Sequence, residues 1–339
     1  MKKLLKQLTE TFGPSGYEDN VRKLVQAEVE PLADEVKVDA LGGLIARKRP
    51  AKQSKDAKKV MIAAHMDEIG VMVSHVDDNG FVRFSPLGGV FGKYVHGGRV
   101  RFLNGAPGVV GYDRFEKVHE APPLEKVYID VGATSKQDCP VKVGDVAAFD
   151  RPFIEMGNRL VAKSMDDRVG VLVAIETLRI LKSTPHDVYF VFTTQEEVGV
   201  RGARTSAFGI DPDVGIALDV TGAADTPNAF KMEMALGRGP CIKIKDSGAI
   251  SDPRVVQWMI RAAEKNKIPY QREVLLFGGT DAQGIQLARA GVPAGCLSIP
   301  TRYVHSPSEM VDFEDVQNSV KLLNAILRTP IDLQSVSYG

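Results

Sequence analysis

Lys58-Lys-Val-Met-Ile-Ala-Ala-His-Met-Asp67 is a short apolar run that ends in a histidine and an aspartate. Residues 60–64 are all apolar, which predicts a strand buried on both faces of an α/β sheet. His65 and Asp67 are two residues apart, so we expect them to project from the same side of the strand's C-terminal end. Because open α/β sheets bind ligands at that end, His65 is the first candidate metal ligand.

The pattern of the chain changes after this strand. From about residue 68 to residue 157, short β-rich runs alternate with Gly, Asn and Pro turns, without a convincing helix. This pattern favours a small β barrel or sandwich. Strands then alternate with helices, which predicts βαβ units and a mostly parallel, doubly wound sheet. We therefore predict an α/β domain of residues 1–67 and 158–339, interrupted by a β-rich, barrel-like domain of residues 68–157.

The charge balance and the cysteine pattern argue against several classes of function. The chain has 43 basic and 43 acidic residues, so it should not be drawn electrostatically to nucleic acid or to an anionic membrane. Its three isolated cysteines predict neither a disulfide framework nor a thiolate zinc site. The N-terminus lacks a signal-peptide core, and no run approaches the roughly 20 apolar residues that span a bilayer. We expect a cytoplasmic protein.

Several polar residues come where predicted strands end or a helix begins, and in a parallel sheet such positions converge on one edge. Each has an ordinary alternative, since Asp166 could cap the following helix and adjacent glutamates are usually solvated. Glu196 and Glu197, however, follow the buried-looking strand Val188-Tyr-Phe-Val-Phe-Thr-Thr194. The coincidence at one sheet edge favours a site made of His65, Asp166, Glu196, Glu197, Asp219 and His305.

These side chains offer imidazole nitrogen and carboxylate oxygen without sulfur, a set that suits zinc, cobalt or manganese. Two histidines and at least three carboxylates exceed the three protein ligands of one catalytic zinc. They fit two ions that share a carboxylate, a site that activates water and polarises the carbonyl under attack. A carboxylate outside the ligand set is then needed as base. Glu196 and Glu197 can supply one base and one ligand, and their spacing does not say which is which.

Six short motifs are spread over nearly the whole chain, and residues 129–135 of the predicted insert add a seventh. The six are His65-Met-Asp67, Ser164-Met-Asp-Asp-Arg168, Gln195-Glu-Glu-Val-Gly199, Leu218-Asp219, Gly278-Gly-Thr-Asp281 and Arg302-Tyr-Val-His-Ser-Pro307. Together they resemble the M42 family of metallo-aminopeptidases, which includes glutamyl and leucyl aminopeptidases and the TET peptidases. The resemblance implies a catalytic α/β domain, a β-rich dimerisation domain, and assembly into dimers and tetrahedral dodecamers.

The resemblance also implies a role for each candidate ligand. His65 and Asp219 each bind one metal ion. Asp166 bridges the two ions, next to a cis peptide bond with Asp167, and such a bond is rare outside proline. The shell of the other ion is completed by Glu197 and His305. The expected cofactors are two divalent ions per subunit, zinc or cobalt.

Two further roles follow from the same resemblance. Glu196 is expected to act as general base, taking the proton of the attacking water and later protonating the leaving amine. Asp67 is expected to hydrogen-bond His65 and fix its tautomer. The predicted activity is removal of the N-terminal residue from peptides. The alternatives are a related two-metal carboxypeptidase or N-deacylase, and a binding protein without activity.

The preferred substrate side chain at P1 stays open between aliphatic and acidic. Gly278, Gly279 and Thr280 are expected to allow close approach of a substrate, which fits a neutral pocket. An acidic side chain would instead need a cation, and Arg302 is the candidate within the motifs. The other cations considered for this purpose are Arg238, Lys243 and Lys245.

Overall fold

The computed structural model describes residues 1–52, 57–114, 120–331 and 333, so residues 115–119 of the predicted insert lie outside the described part. The helices there are α1 (Lys2–Glu10), α2 (Asp19–Val29), α3 (Gly92–Val95), α4 (Met165–Ile180), α5 (Arg201–Ile210), α6 (Pro253–Lys265), α7 (Asp281–Gln286) and α8 (Phe313–Leu327). The strands up to the return of the chain from the β-rich region are β1 (Glu35–Val38), β2 (Leu44–Lys48), β3 (Lys59–His65), β4 (Gly70–Val76), β5 (Val82–Leu87), β6 (Arg99–Phe102), β7 (Pro107–Tyr112), β8 (Val127–Asp130) and β9 (Val146–Phe149). The later strands are β10 (Ile154–Met156), β11 (Arg159–Ala162), β12 (Asp187–Thr193), β13 (Val214–Gly222), β14 (Cys241–Lys245), β15 (Gln271–Val274), β16 (Ala294–Arg302) and β17 (Glu309–Asp312).

One large mixed sheet forms the α/β part of the molecule. Its strands follow the order β1-β2-β12-β3-β13-β16-β17-β11-β10, and β14 pairs with both β15 and β16. The central strands β12, β3, β13 and β16 run parallel to one another. The strands outside them pair antiparallel, apart from the parallel pair β14–β15. The predicted α/β class, wound around a parallel centre, is confirmed.

Strand β3 lies in the middle of this sheet, which is why its sequence is apolar on both faces. Val60 and Ile62 belong to the main core cluster, in which the helix α4 takes part. Met61 and Ala63 point to the opposite face, into a second cluster with residues of α5 and α7. The last residue of β3, His65, pairs in register with the last residue of β12. The C-terminal ends of the central strands therefore meet at one edge.

After β3 the chain leaves the large sheet and forms a closed barrel with the strand order β4-β5-β8-β7-β6-β9. Its antiparallel strands enclose a separate core that includes Val71, Val82, Val100 and Ile129. The predicted β-rich, barrel-like insert is thus confirmed as a fold, and its described helical segments, α3 and a 3₁₀ helix at Leu124–Lys126, each span about one turn. Strand β10 already pairs with β11 in the large sheet. The exact division of the chain into domains stays a prediction.

Helix α4 is buried almost all round. Residues 165–178 are all buried. The reason is that α4 packs on β3 and β13 and is itself covered by α1, α2 and α8. Asp166 and Asp167 have non-helical backbone angles, so the regular helix begins only after them. Both aspartates therefore lie in the bend that leads into the helix, beside the end of β3.

Three short strands at the edge of the sheet, β10, β11 and β17, were not predicted. They contain three or four residues each. Strand β10 pairs antiparallel with β11, and β11 pairs antiparallel with β17. Arg159, Glu309 and Asp312 interrupt their apolar pattern, and so the period of two that marks a strand is not visible. Strand β17 matters for the site because Glu309 opens it.

No helix within the described residues has the length and apolar character needed to cross a bilayer. The three cysteines are free thiols. Cys241 and Cys296 are buried, as predicted for core thiols, and Cys139 is half-buried.

Candidate metal centre

The carboxylate of Asp166 lies between two imidazole rings. Its Oδ1 atom is 3.0 Å from Nε2 of His65, and its Oδ2 atom is 3.3 Å from Nε2 of His305. Burial opposes ionisation, but the hydrogen bonds from both histidines hold the pKa of Asp166 well below its usual value. Each carboxylate oxygen thus faces a different nitrogen donor. The peptide bond that joins Asp166 to Asp167 is cis, as the family resemblance implied.

Glu197 joins this group from the loop that follows β12. Its Oε2 atom is 3.3 Å from Nε2 of His305. One ligand atom from each of His65, Asp166 and Glu197 lies within 4.8 Å of the other two. Oε1 of Glu197 is buried without a hydrogen-bond partner. Burial, together with the charge of Asp166, raises the pKa of Glu197 to about 7. A buried carboxylate oxygen without a partner, beside two imidazoles, fits a divalent cation.

Asp219 lies in β13, at the same edge of the sheet. Burial and the nearby charge of Asp166 raise its pKa well above the usual value. The pKa of Asp167 is raised in the same way, by burial and by the charge of Asp219. Asp219 lines the same cavity as Asp166, Glu197 and His305. All five predicted ligands therefore converge at one place, where burial and the charge of Asp166 disfavour ionisation of Glu197 and Asp219.

Asp67 organises the site mainly through backbone groups. Its carboxylate accepts hydrogen bonds from the N–H groups of Glu196 and Glu197, at 3.0 and 3.1 Å, and from Oγ of Ser15 at 2.6 Å. Nδ1 of His65 lies 3.0 Å from the main-chain carbonyl oxygen of Asp67 and 3.5 Å from Oδ1. The shorter contact is thus to the carbonyl. A proton held on Nδ1 by this carbonyl would leave Nε2, the nitrogen directed at Asp166, as the one that binds a metal ion.

Glu309 is a buried residue of this site that the sequence analysis missed. Its two carboxylate oxygens accept the main-chain N–H of Asp166 at 2.9 Å and of His305 at 2.7 Å. His305 has a φ of +61°, an unfavourable left-handed conformation for a residue other than glycine. Glu309 therefore fixes the backbone of two predicted ligands at once. The sequence feature that could have pointed to Glu309 is its position four residues after His305, just beyond the motif that ends at Pro307.

A cavity of about 650 Å³ opens beside the cluster. Phe91, carried by the barrel region, stacks near His305 with ring centroids 6.3 Å apart. The barrel must approach closely here, because a Cβ atom on Gly89 would lie only 2.2 Å from Nδ1 of His305. The rest of the cavity wall consists largely of small or apolar residues, which include Val200, Val220, Thr221, Leu275, Phe277, Gly278 and Gly279.

The four predicted substrate residues are not all in this cavity. Gly278 and Gly279 line it. Thr280 lies next to them, but its hydroxyl accepts the N–H of Ala282 and caps α7. Arg302 is not among the lining residues, and its guanidinium forms a two-pronged ion pair with Asp225, at 2.7 and 2.8 Å. The structure therefore brings the glycines to the cavity and leaves the arginine outside its wall.

Known proteins resemble this chain over nearly its whole length. A family model described as M42 glutamyl aminopeptidase matches residues 42–322. A lysyl aminopeptidase of Pyrococcus furiosus is 38% identical, and the match covers 96% of each chain. A candidate aminopeptidase of Acetivibrio thermocellus is 46% identical over 94% of this chain and 96% of its own length.

Solved structures give the same picture. An aminopeptidase from the archaeon Desulfurococcus kamchatkensis superposes with a TM-score of 0.93 at 41% identity, covering 99% of this chain and 98% of that one. The TET1 peptidase of Pyrococcus horikoshii, which can assemble into a tetrahedron or a large octahedral shell, has a TM-score of 0.84 at 32% identity. That match covers 96% of this chain and 98% of the other.

Proposed function

This chain belongs to the M42 glutamyl aminopeptidase family of peptide hydrolases, and we propose that it removes the N-terminal residue of peptides at a two-metal site. The observation that carries the proposal is the carboxylate of Asp166, whose two oxygens each face a different histidine. A carboxylate shared in this way suits a pair of ions. The free amine and the carbonyl of a peptide's first residue are the groups such a site would hold.

We assign the ligands as follows. His65 and Asp219 would each hold one ion, and Asp166 would be shared between the two. Nitrogen and carboxylate donors without sulfur suit zinc or cobalt. When bound, the two ions supply Lewis-acid activation of a water and polarisation of the scissile carbonyl. The shell of the other ion is completed by Glu197 and His305.

Glu196 is proposed as the general base. Both glutamates line the cavity, and Glu197 is the one whose Oε2 atom contacts His305, which leaves Glu196 as the candidate base. Burial raises the pKa of Glu196 well above its usual value, and the charge of Asp219 adds to this shift. A carboxylate with a raised pKa takes a proton from water and returns it to a leaving amine more readily.

The substitution Glu196→Gln tests this assignment, because the amide keeps the shape and cannot take the proton. We expect kcat to fall by about 10²–10⁴-fold, with the metal content per chain unchanged. Glu30→Gln, at an exposed carboxylate after α2, is the matched control and should keep full activity. Undiminished hydrolysis by a metal-loaded Glu196→Gln enzyme would show that another group is the base.

We also propose a neutral aliphatic residue at P1. No lysine or arginine is among the described residues that line the cavity. Two of the candidate cations are engaged elsewhere: Nζ of Lys243 is 2.8 Å from Glu273, and Arg302 pairs with Asp225. A charged substrate side chain placed against Leu275 and Phe277 would lose its hydration without gaining a partner, which is unfavourable.

A panel of leucyl, glutamyl and lysyl nitroanilides, assayed with added zinc or cobalt, measures this preference. The leucyl substrate should be favoured by at least about 10-fold in kcat/KM. Faster turnover of the glutamyl or the lysyl substrate would contradict the neutral pocket. This comparison is informative because the matched family model and the Pyrococcus furiosus relative are named for opposite charges.

We propose that the chain associates with itself, as a dimer through the insert of residues 68–157 and further as a tetrahedral dodecamer. The assembly of the Pyrococcus horikoshii TET1 peptidase supports this proposal. Exposed apolar side chains on the barrel support it as well, because Leu103 and Val143 are 54% and 63% exposed. Enclosure of the sites within such a shell would restrict the substrates to unfolded peptides.

A further inference from the structure

The loop of residues 195–197 carries the proposed base and one proposed ligand, and each of its three N–H groups donates to a carboxylate. Gln195 donates to Oε1 of Glu18 at 3.1 Å. Glu196 and Glu197 donate to the two oxygens of Asp67. Gln195 has a φ of +57°, and such a left-handed conformation persists only where surrounding contacts enforce it.

Glu18 belongs to the N-terminal segment, far from the loop in sequence. Its side chain is buried, and the same Oε1 atom also accepts the N–H of Gly16 at 2.8 Å. Gly16 has a φ of +85°, which a glycine adopts without strain. A second residue of this segment, Ser15, donates to Asp67. Both carboxylates that hold the loop are thus tied to residues 15–18.

The N-terminal segment is itself fixed beside the metal ligands. The N–H of Gly13 donates to the carboxylate of Glu68, and the N–H of Glu68 donates to the carbonyl of Gly13, both at 3.0 Å. The buried guanidinium of Arg168 also donates to the carbonyl of Gly13. These contacts hold the segment in place, so that it provides a fixed support for Glu18.

We propose that Glu18 is a positioning residue for the general base: by accepting the N–H of Gln195, it fixes the loop that directs Glu196 into the cavity. The inference rests on the proposed function, in which Glu196 is the base. One oxygen atom of Glu18 takes both hydrogen bonds, so an amide oxygen can replace it. The role therefore needs an acceptor at this place and does not need a negative charge.

Three variants test the proposal by kinetics. Glu18→Ala removes the acceptor and should lower kcat by about 10–100-fold, with KM and bound metal per chain unchanged. Glu18→Gln keeps the acceptor and should restore most of the lost kcat. Glu30→Ala, at the exposed carboxylate after α2, should behave as the wild type. Thermal unfolding of each variant establishes that it is folded before its kinetics are compared.

Hydrogen exchange of the peptide that spans residues 194–200 gives a reading that does not depend on activity. In metal-free protein, exchange in this peptide should be faster in Glu18→Ala than in the wild type and close to the wild type in Glu18→Gln. Unchanged exchange in Glu18→Ala, or a Glu18→Gln as impaired as Glu18→Ala, overturns the positioning role even in an active aminopeptidase. A wild type without peptidase activity but with Glu18-dependent exchange overturns the proposed function and supports Glu18 as the support of the loop.

Discussion

Glu309 holds two proposed metal ligands through their main chain, with one carboxylate oxygen on each N–H group. In Glu309→Gln one of these N–H groups would face an amide NH₂, so one hydrogen bond is lost. We expect metal affinity to fall by about 10–100-fold and the free energy of unfolding by about 1–3 kcal/mol. Calorimetric titration of the metal-free protein with zinc measures the first effect. Glu314→Gln, at an exposed position in the same region, should change neither quantity.

The pH dependence of stability follows from carboxylates whose negative charge is unfavourable in the metal-free site. Burial raises the pKa of Glu18 and Glu197 to about 7, and of Asp281 to about 6. An acid with a raised folded-state pKa binds more protons folded than unfolded, so stability falls as pH rises from about 4 to 7. His305 continues the trend at higher pH, because the charge of Glu197 outweighs burial and raises its pKa to about 10. The metal-free protein should therefore unfold at lower urea concentration at pH 8 than at pH 5.

Added metal should reverse part of this loss, since the ligands must be deprotonated to bind. Zinc at 100 times its dissociation constant stabilises a protein by about 2.7 kcal/mol. At one fixed zinc concentration, the gain over a chelator-treated sample should be larger at pH 8 than at pH 5, because the dissociation constant is lower where the ligands are deprotonated. Equal gains at the two pH values would mean that the groups with raised pKa are not the metal ligands.

At the scale of residues, the convergence of the proposed ligands could be predicted, and the residues that support them could not. His65, Asp166 and Glu197 each lie at a strand end or a helix start, and the parallel sheet brings such positions together. Glu18 and Glu309 act on the backbone of residues 177 and 143 positions away, respectively. No spacing rule links residues so distant, and in the sequence both glutamates look like ordinary surface residues.

At the scale of elements, Arg168 fastens helix α1 to helix α4. This fully buried guanidinium donates to the carbonyls of Leu8, Thr11 and Met66, at 2.5, 3.0 and 2.6 Å. A lysine presents its three donors from a single nitrogen and cannot reach these separate carbonyls. Arg168→Lys should therefore lower the free energy of unfolding by about 3 kcal/mol or more.

Arg179→Lys is the control for this prediction, since Arg179 lies near the other end of α4 and its exposed guanidinium pairs with Glu28 and Glu176. Its cost should stay within about 1 kcal/mol. Urea unfolding of both variants measures the difference. Equal losses of unfolding free energy in the two variants would indicate that the buried hydrogen bonds of Arg168 do not hold α1 in place.

The elements most clearly predicted were those with a strong period or an apolar run, such as β3. The edge strands β10, β11 and β17 were missed because their pairing partners, and not their own composition, make them strands. The all-round burial of α4 was missed for a similar reason, since it depends on how many elements cover the helix.

At the scale of the whole molecule, self-association is expected through the barrel. Light scattering during size-exclusion chromatography should give a mass of a dimer or a larger multiple of the 36.8 kDa chain. Val143→Asp, on the exposed barrel surface, should shift the distribution towards smaller species, because it puts a charge into an apolar contact. Val38→Asp, an exposed apolar residue of β1 outside the barrel, serves as control. A wild-type monomer at all concentrations would contradict the proposed assembly.

The proposed activity requires a metal site that acts on peptides with a free N-terminus, and both requirements can be tested in one experiment. Metal-free protein, reconstituted with zinc or cobalt, is incubated with a leucine-initiated peptide and with its N-acetylated twin, and released leucine is measured. We predict release from the free-amine peptide alone, activity that reaches its maximum at two ions per chain, and none without metal. Cleavage of only the acetylated peptide, or equal release by the metal-free protein, would contradict the assignment.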